Sequence, residues 1–222
     1  MTYVISNIHG NYAKFQSLLS QISFRERDTL YLLGDLLDYG EEAMELIADV
    51  SVRLNVFPIA GEHDFLAARM LKGVSKMLSG AAPDPELLGE MTEWVQDGGQ
   101  ATLDAFRALD EEEREGVIEY LEEMTLFEEL TVKGERYVLV HAGIADYTDG
   151  DDLGDYLPED FFCEPLDPTR RLIADATVVV GHKPTASGKI ERGEGSIFID
   201  CGVAEGGRLA CLCLESGEEF YA

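Results

Sequence analysis

The sequence predicts an α/β fold with an α-helical insertion, and three observations carry that prediction. Apolar runs alternate with helix-spaced apolar residues over the first sixty residues, the middle of the chain is acidic with helical periodicity alone, and the last third returns to short apolar runs separated by turn residues. Strands separated by helices imply parallel pairing with right-handed crossovers. The turn-separated strands of the last third imply hairpins and a second, partly antiparallel sheet.

Val4-Ile5 reads as the first strand, followed by Phe15, Leu18, Leu19 and Ile22 at helical spacing. Leu30 to Leu33 is a second buried strand, Ala43 to Val50 a second helix, and Val56 to Ala60 a third strand. Each strand runs into a polar loop containing glycine: SNIHG, GDLLDYG and GEHDF. Ligands of open α/β sheets bind beyond the carboxyl ends of the strands, so these loops are expected to meet. From about residue 65 to 130, PDPELLGEMTEWVQDGG and EEEREGVIEYLEEMTLFEEL carry apolar residues at three- and four-residue steps, which predicts a helical insertion within a single domain spanning 1–222. Ala81 to Pro85 is the best internal linker, or the approach to a helix. Further strands are expected at Tyr137 to Val140, Thr177 to Val180, Ser196 to Asp200, Arg208 to Leu214 and Glu218 to Tyr221, with AEGGR and ESGEE as turns.

At 222 residues and 45% hydrophobic content, with no apolar run near eighteen residues, the chain reads as soluble and globular. The first strand begins without a basic leader, so no signal peptide or membrane anchor is expected and the cytoplasm is the default location. Against 17 basic residues stand 44 acidic ones, a formal charge of -27 that repels phosphate backbones and anionic lipid and argues against nucleic-acid or membrane-surface binding. Cys163, Cys201, Cys211 and Cys213 have no CxxC spacing, and buried, reduced thiols are expected rather than a zinc knuckle.

All four histidines, His9, His63, His141 and His182, fall at the ends of apolar strands. One histidine so placed is commonly structural, but four of four point to one site. Asp35, Asp38, Glu62 and Asp64 accompany them. Imidazoles mixed with carboxylates suit Mn, Fe or Zn better than Mg or Ca, and a pair of such ions can polarise a phosphoryl oxygen and acidify a water.

The strings SNIHG, GDLLDYG, GEHDF, VHAGI and GHKPT, in this order, resemble the motif series of the calcineurin-like metallophosphoesterases, closest to the bacterial branch of the serine/threonine protein phosphatases. WVQDGGQATL and IDCGVAEGGRLACLCL resemble the same branch. The resemblance implies a β-sandwich of two mixed sheets flanked by helices, and one or two divalent ions, Mn first, with Fe or Zn as alternatives. It implies a first ion held at Asn7, His9 and Asp35, and a second at Asp35, Glu62, His141 and His182, with Asp35 shared. His63 matches the general acid, and Asp38 the carboxylate supporting it.

Two ligand positions depart from that pattern, with Asn7 where the family has Asp and Glu62 where it has Asn. Together they conserve charge but shift an anion from the first ion to the second, which predicts a firm second ion and a first that is weak or absent. The family's Asp-Arg-Gly is Asp38-Tyr39-Gly40 here, and a further phosphate-binding arginine aligns with Glu164. Tyr39 and Lys183 are left as the substrate-binding candidates, Lys183 restoring one positive charge where the family has Thr. Two functions follow as expectations. One is a metal-dependent hydrolase of a phosphoprotein or small phosphoester; the other is a catalytically weak module engaging a protein partner through its acidic helical insertion.

Overall fold

In the computed structural model, which describes residues 1–162 and 165–222, the N-terminal alternation is realised as β1 (Thr2–Ile5), α1 (Tyr12–Gln21), β2 (Thr29–Leu33), α2 (Ala43–Val50) and β3 (Val56–Ile59). β1, β2 and β3 pair in parallel. Four helices follow: α3 (Glu62–Leu78), α4 (Pro85–Trp94), α5 (Gln100–Ala108) and α6 (Glu111–Glu122). The chain then forms β4 (Phe127–Val132), β5 (Glu135–Val140), β6 (Thr177–Val180), β7 (Glu191–Gly193), β8 (Ser196–Phe198), β9 (Ala210–Cys213) and β10 (Glu219–Tyr221).

Two mixed five-stranded sheets result, in the orders β10-β9-β1-β2-β3 and β4-β5-β6-β8-β7. Strand alternation sorts their residues between two cores. Val4, Leu33, Ile59 and Leu212 of the first sheet meet Leu139 and Val179 of the second in the layer between the sheets. Ile5, Leu30 and Leu32 point the other way and share a core with Phe15 of α1, Leu46 of α2, Met70 and Leu71 of α3, and Trp94 and Phe106 of the α4–α5 region. This is the expected β-sandwich of two mixed sheets flanked by helices.

Several boundaries differ from expectation. The helical run begins at Glu62 and ends at Glu122, and Phe127 to Glu129 belong to β4 rather than to the insertion. Helical periodicity continues through EEMTLFEEL, but a two-residue turn at Lys133-Gly134, both at positive φ, folds this segment onto β5. AEGGR is no hairpin: it carries the chain from β8 in the second sheet to β9 in the first, antiparallel to β1. ESGEE does close a hairpin, β9 to β10. The Ala81 to Pro85 stretch leads into α4, whose N-cap Asp84 accepts the Glu86 N–H and whose first residue is Pro85.

Helices α4 and α5 are joined through a kink at Val95–Gly99, where Gly98 has φ 95. Cys201, Cys211 and Cys213 are buried and free, and Cys163 lies outside the described residues. Among the described residues no helix is long and apolar enough to cross a membrane.

Candidate metal centre

The loops after β1, β2, β3, β5 and β6 converge at the carboxyl ends of their strands. The first two run side by side, with Asn7 N–H donating to Gly34 O (3.0 Å), His9 N–H to Asp35 O (2.9 Å) and Gly10 N–H to Leu36 O (2.8 Å). Six of the nine non-glycine residues at positive φ among the described residues lie here: Asn7, His9, Asp35, Asp38, Tyr39 and His182. Side chains disfavour that conformation, so the surrounding hydrogen bonds must hold it. Asp64 does much of the holding. Its Oδ2 accepts the Gly61 N–H (3.0 Å), and its Oδ1 accepts those of Leu36 (2.9 Å) and Leu37 (3.3 Å). Burial, with the charge of Asp35, pushes the Asp64 carboxyl up to about 7.

Asp35 is the centre of the arrangement and is buried. Its Oδ1 accepts the His63 N–H (3.1 Å), and its Oδ2 lies 3.4 Å from His141 Nε2 and 3.6 Å from His9 Nε2. Burial opposes its ionisation, but His141, His9 and His63 outweigh burial and hold the carboxyl below its usual range. Gly61 is packed so closely that a Cβ there would meet Asp35 Oδ1 at 2.3 Å.

The imidazoles are oriented from behind. His141 Nδ1 bonds Leu33 O at 2.8 Å and His9 Nδ1 bonds Leu37 O at 2.9 Å, which makes Nδ1 the protonated nitrogen and turns each Nε2 lone pair inward. Burial lowers the pKa of His9, His141 and His182, favouring the neutral, ligating form. His141 Nε2 and His182 Nδ1 are 3.2 Å apart, and Asp35, His141 and His182 offer ligand atoms all within 4.8 Å of one another. Among the described residues Asp35 pairs with no Lys or Arg. A buried carboxylate beside neutral imidazoles lacks a cation, and the donor set fits a divalent first-row ion.

Three expected ligands, His9, Asn7 and Glu62, lie outside the Asp35–His141–His182 group, although His9 Nε2 comes to 3.6 Å from Asp35 Oδ2. Asn7 Oδ1 accepts the His182 backbone N–H (2.8 Å) and the Ser6 hydroxyl (2.5 Å), while Asn7 Nδ2 donates to Asp35 Oδ2 (2.9 Å). The His182 N–H can only donate, so it fixes the amide with its nitrogen toward Asp35. Asn7 therefore presents a donor where an ion needs a lone pair. Glu62, the first residue of α3, has an exposed side chain outside the Asp35–His141–His182 group.

His63 and Asp38 are brought together as expected, with Nδ1 and Oδ2 2.8 Å apart. Burial alone would lower the His63 pKa, but the bond to Asp38 and the charges of Asp35, Asp38 and Asp64 carry it up to about 9. Asp38 is fully buried, and each of its oxygens is satisfied. Trp94 Nε1–H donates to Oδ2 (2.8 Å), and the Thr102 hydroxyl donates to Oδ1 (2.7 Å) while accepting the Asp38 N–H (2.9 Å). Trp94 and Thr102 both lie in WVQDGGQATL, but nothing in the sequence alone marks them as partners of Asp38.

Tyr39 stands at the mouth. Its ring centroid is 5.0 Å from that of His9 and 5.3 Å from that of His63, its hydroxyl donates to Asp97 Oδ1 (3.1 Å), and its N–H donates to Gly98 O (3.0 Å). Burial, with Asp97, pushes its phenol up to about 12, so Tyr39 supplies no charge at neutral pH. Lys183 is exposed and, with His182, Thr185 and Phe198, lines a cavity of about 480 Å³. Glu164 lies outside the described residues.

The family model for calcineurin-like phosphoesterase matches residues 2–205. Among curated proteins, the symmetrical bis(5'-nucleosyl)-tetraphosphatase of Pectobacterium atrosepticum is 34% identical over 77 residues, covering 34% of this chain and 27% of that protein. That of Erwinia tasmaniensis is 38% identical over 77 residues, covering 34% and 28%. The match thus spans little more than a quarter of these relatives' length. Among solved structures, a candidate diadenosine tetraphosphatase superposes with TM-score 0.66 at 20% identity, covering 100% of this chain and 92% of that one. A protein serine/threonine phosphatase from Saccharomyces cerevisiae superposes with TM-score 0.63 at 10% identity, covering 100% and 78%. At these identities the likeness is one of fold.

Proposed function

The chain belongs to the calcineurin-like phosphoesterase family, and from that premise we propose that it is a metal-dependent phosphoester hydrolase in which His63 is the general acid. The observation that carries this reading is the His63–Asp38 pair, backed by Trp94 and Thr102, standing next to Asp35. Asp35, His141 and His182 would hold a divalent ion, Mn, Fe or Zn, with His9 as a further donor at Asp35. Bound there, the ion would polarise a phosphoryl oxygen and make a water acidic enough to attack near neutral pH. His63 shares its Nδ1 proton with Asp38, which leaves the Nε2 proton of the imidazolium for the leaving oxygen. Asp38 keeps that imidazolium charged and its ring in place.

A nucleotide-type phosphoester suits the site better than a phosphoprotein. The curated relatives, matched over about a third of this chain, are named for dinucleoside tetraphosphates, and Tyr39 stands in place of an arginine clamp. Lys183 would meet a phosphate as a point charge rather than a fork. Three buried, free thiols agree with work in a reducing compartment such as the cytoplasm.

A second reading, a binding module that keeps one ion and engages a protein partner through α3–α6, is favoured by the Asn7 amide nitrogen facing Asp35. One assay separates the two. Wild type and His63→Ala are given an aryl phosphate, an aryl phosphodiester and a dinucleoside tetraphosphate with Mn supplied. Turnover in wild type that His63→Ala abolishes supports the hydrolase. Metal binding without turnover of any of the three supports the module.

A further inference from the structure

We propose that the groove between Tyr39 and the start of α5 is a nucleoside subsite, taking the base and ribose of a nucleotide whose phosphate lies at the metal centre; the assignment rests on the hydrolase reading above. Tyr39 is 44% exposed yet is held from several directions. Its backbone is left-handed (φ 62), its N–H bonds Gly98 O, and its hydroxyl bonds Asp97. Its ring rests on the bare Cα of Gly98, where a Cβ would come within 2.8 Å of ring carbons. An exposed ring fixed this firmly is a preorganised flat surface, and its contact with the rings of His9 and His63 places a group leaning on it beside the proton donor.

The groove, about 620 Å³, is lined by Tyr39, Glu41, Gly98, Gln100, Ala101, Asp104 and Ala105. Among the described residues its lining has two carboxylates, Glu41 and Asp104, and no cation, so it repels phosphate while the carboxylates can accept hydrogen bonds from ribose hydroxyls. A Gln amide can pair with a base edge as both donor and acceptor, and Gly98 and Ala101 leave room for a planar group. Lys183, the cation next to His182, lines a different cavity. The groove's chemistry thus matches the uncharged part of a nucleotide.

The test is calorimetric binding of adenosine 5'-monophosphate and ribose 5-phosphate to the whole chain with Mn supplied. Base stacking on an aromatic side chain predicts that wild type binds the nucleotide more tightly than the sugar phosphate by roughly 5- to 150-fold. Tyr39→Phe keeps that ratio, whereas Tyr39→Leu brings it close to one. Should Tyr39→Leu unfold by circular dichroism, Ala101→Trp, which fills the groove and leaves the Tyr39 hydrogen bonds alone, brings the ratio close to one instead. Equal binding of both ligands by wild type, or a ratio unchanged in the folded variants, overturns the subsite. Because the ratio is read without turnover, an inactive protein that shows it would refute the hydrolase reading and keep the subsite.

Discussion

The substitution Asn7→Asp replaces a hydrogen-bond donor with a second carboxylate against Asp35, and its cost can be worked from the structure. The Asn7 nitrogen is 2.9 Å from Asp35 Oδ2, and two unit charges at that distance repel by about 6 kcal/mol at an effective dielectric of about 20. Protonation caps the penalty. Keeping a carboxyl of ordinary pKa protonated costs about 4 kcal/mol at pH 7 and about 1.5 kcal/mol at pH 5. The introduced group has its folded pKa raised, so the loss of stability is absent below its unfolded pKa and grows as pH rises toward the folded one. In chelator at pH 7, a loss of about 4 kcal/mol lowers Tm by roughly 8–16 °C for a chain of this length, and the deficit narrows at pH 5. Adding Mn reverses the deficit, because a cation between the two carboxylates relieves the repulsion, and metal analysis rises from near one ion per chain in wild type toward two. Thermal denaturation at both pH values with and without Mn, alongside metal analysis, reads all of this. A variant as stable as wild type in chelator at pH 7, or one binding no additional metal, would refute the reasoning.

Other predictions follow from the same geometry. Trp94→Phe removes one of the donors to the buried Asp38 and costs about 1.5–3 kcal/mol, read by urea denaturation. In metal-free protein, NMR titration places His63 well above its ordinary value, near 9, and Asp38→Asn moves it back toward 6.5. With its folded pKa raised, His63 contributes stability that is fully present below pH 6.5 and lost as pH rises through about 9, a slope that flattens in Asp38→Asn. Gly98→Ala adds a Cβ at φ 95 against the Tyr39 ring, so it destabilises by about 1–3 kcal/mol and lowers the preference for nucleotide over sugar phosphate, measured by denaturation and calorimetry.

The parallel core was legible because β1, β2 and β3 are short apolar runs ending in polar loops, and the convergence of those loops follows from parallel pairing alone. β4 was not, since its residues continue the helical spacing of α6 and only pairing with β5 makes them a strand. β7, three residues of Glu, Arg and Gly, carries no apolar signal. At the site, Asp35, His141, His182 and the His63–Asp38 pair could be named from motif positions. The direction of the Asn7 amide could not, because it is set by a backbone N–H 175 positions away in sequence. Glu62 shows the same limit: its place in the third loop suggested a ligand, but as the first residue of α3 its side chain is exposed.

Asp64 receives amide protons from Gly61, at the head of α3, and from Leu36 and Leu37, in the loop after β2. One carboxylate therefore acts as a hinge pin between a helix and a ligand-bearing loop. Those three amides should exchange with deuterium as one cooperative unit rather than at independent loop rates. Bending the first turn of α3 would shift Asp35 and Asp38 together, so a partner gripping that helix from outside would have mechanical access to the ion and to the proton donor at once.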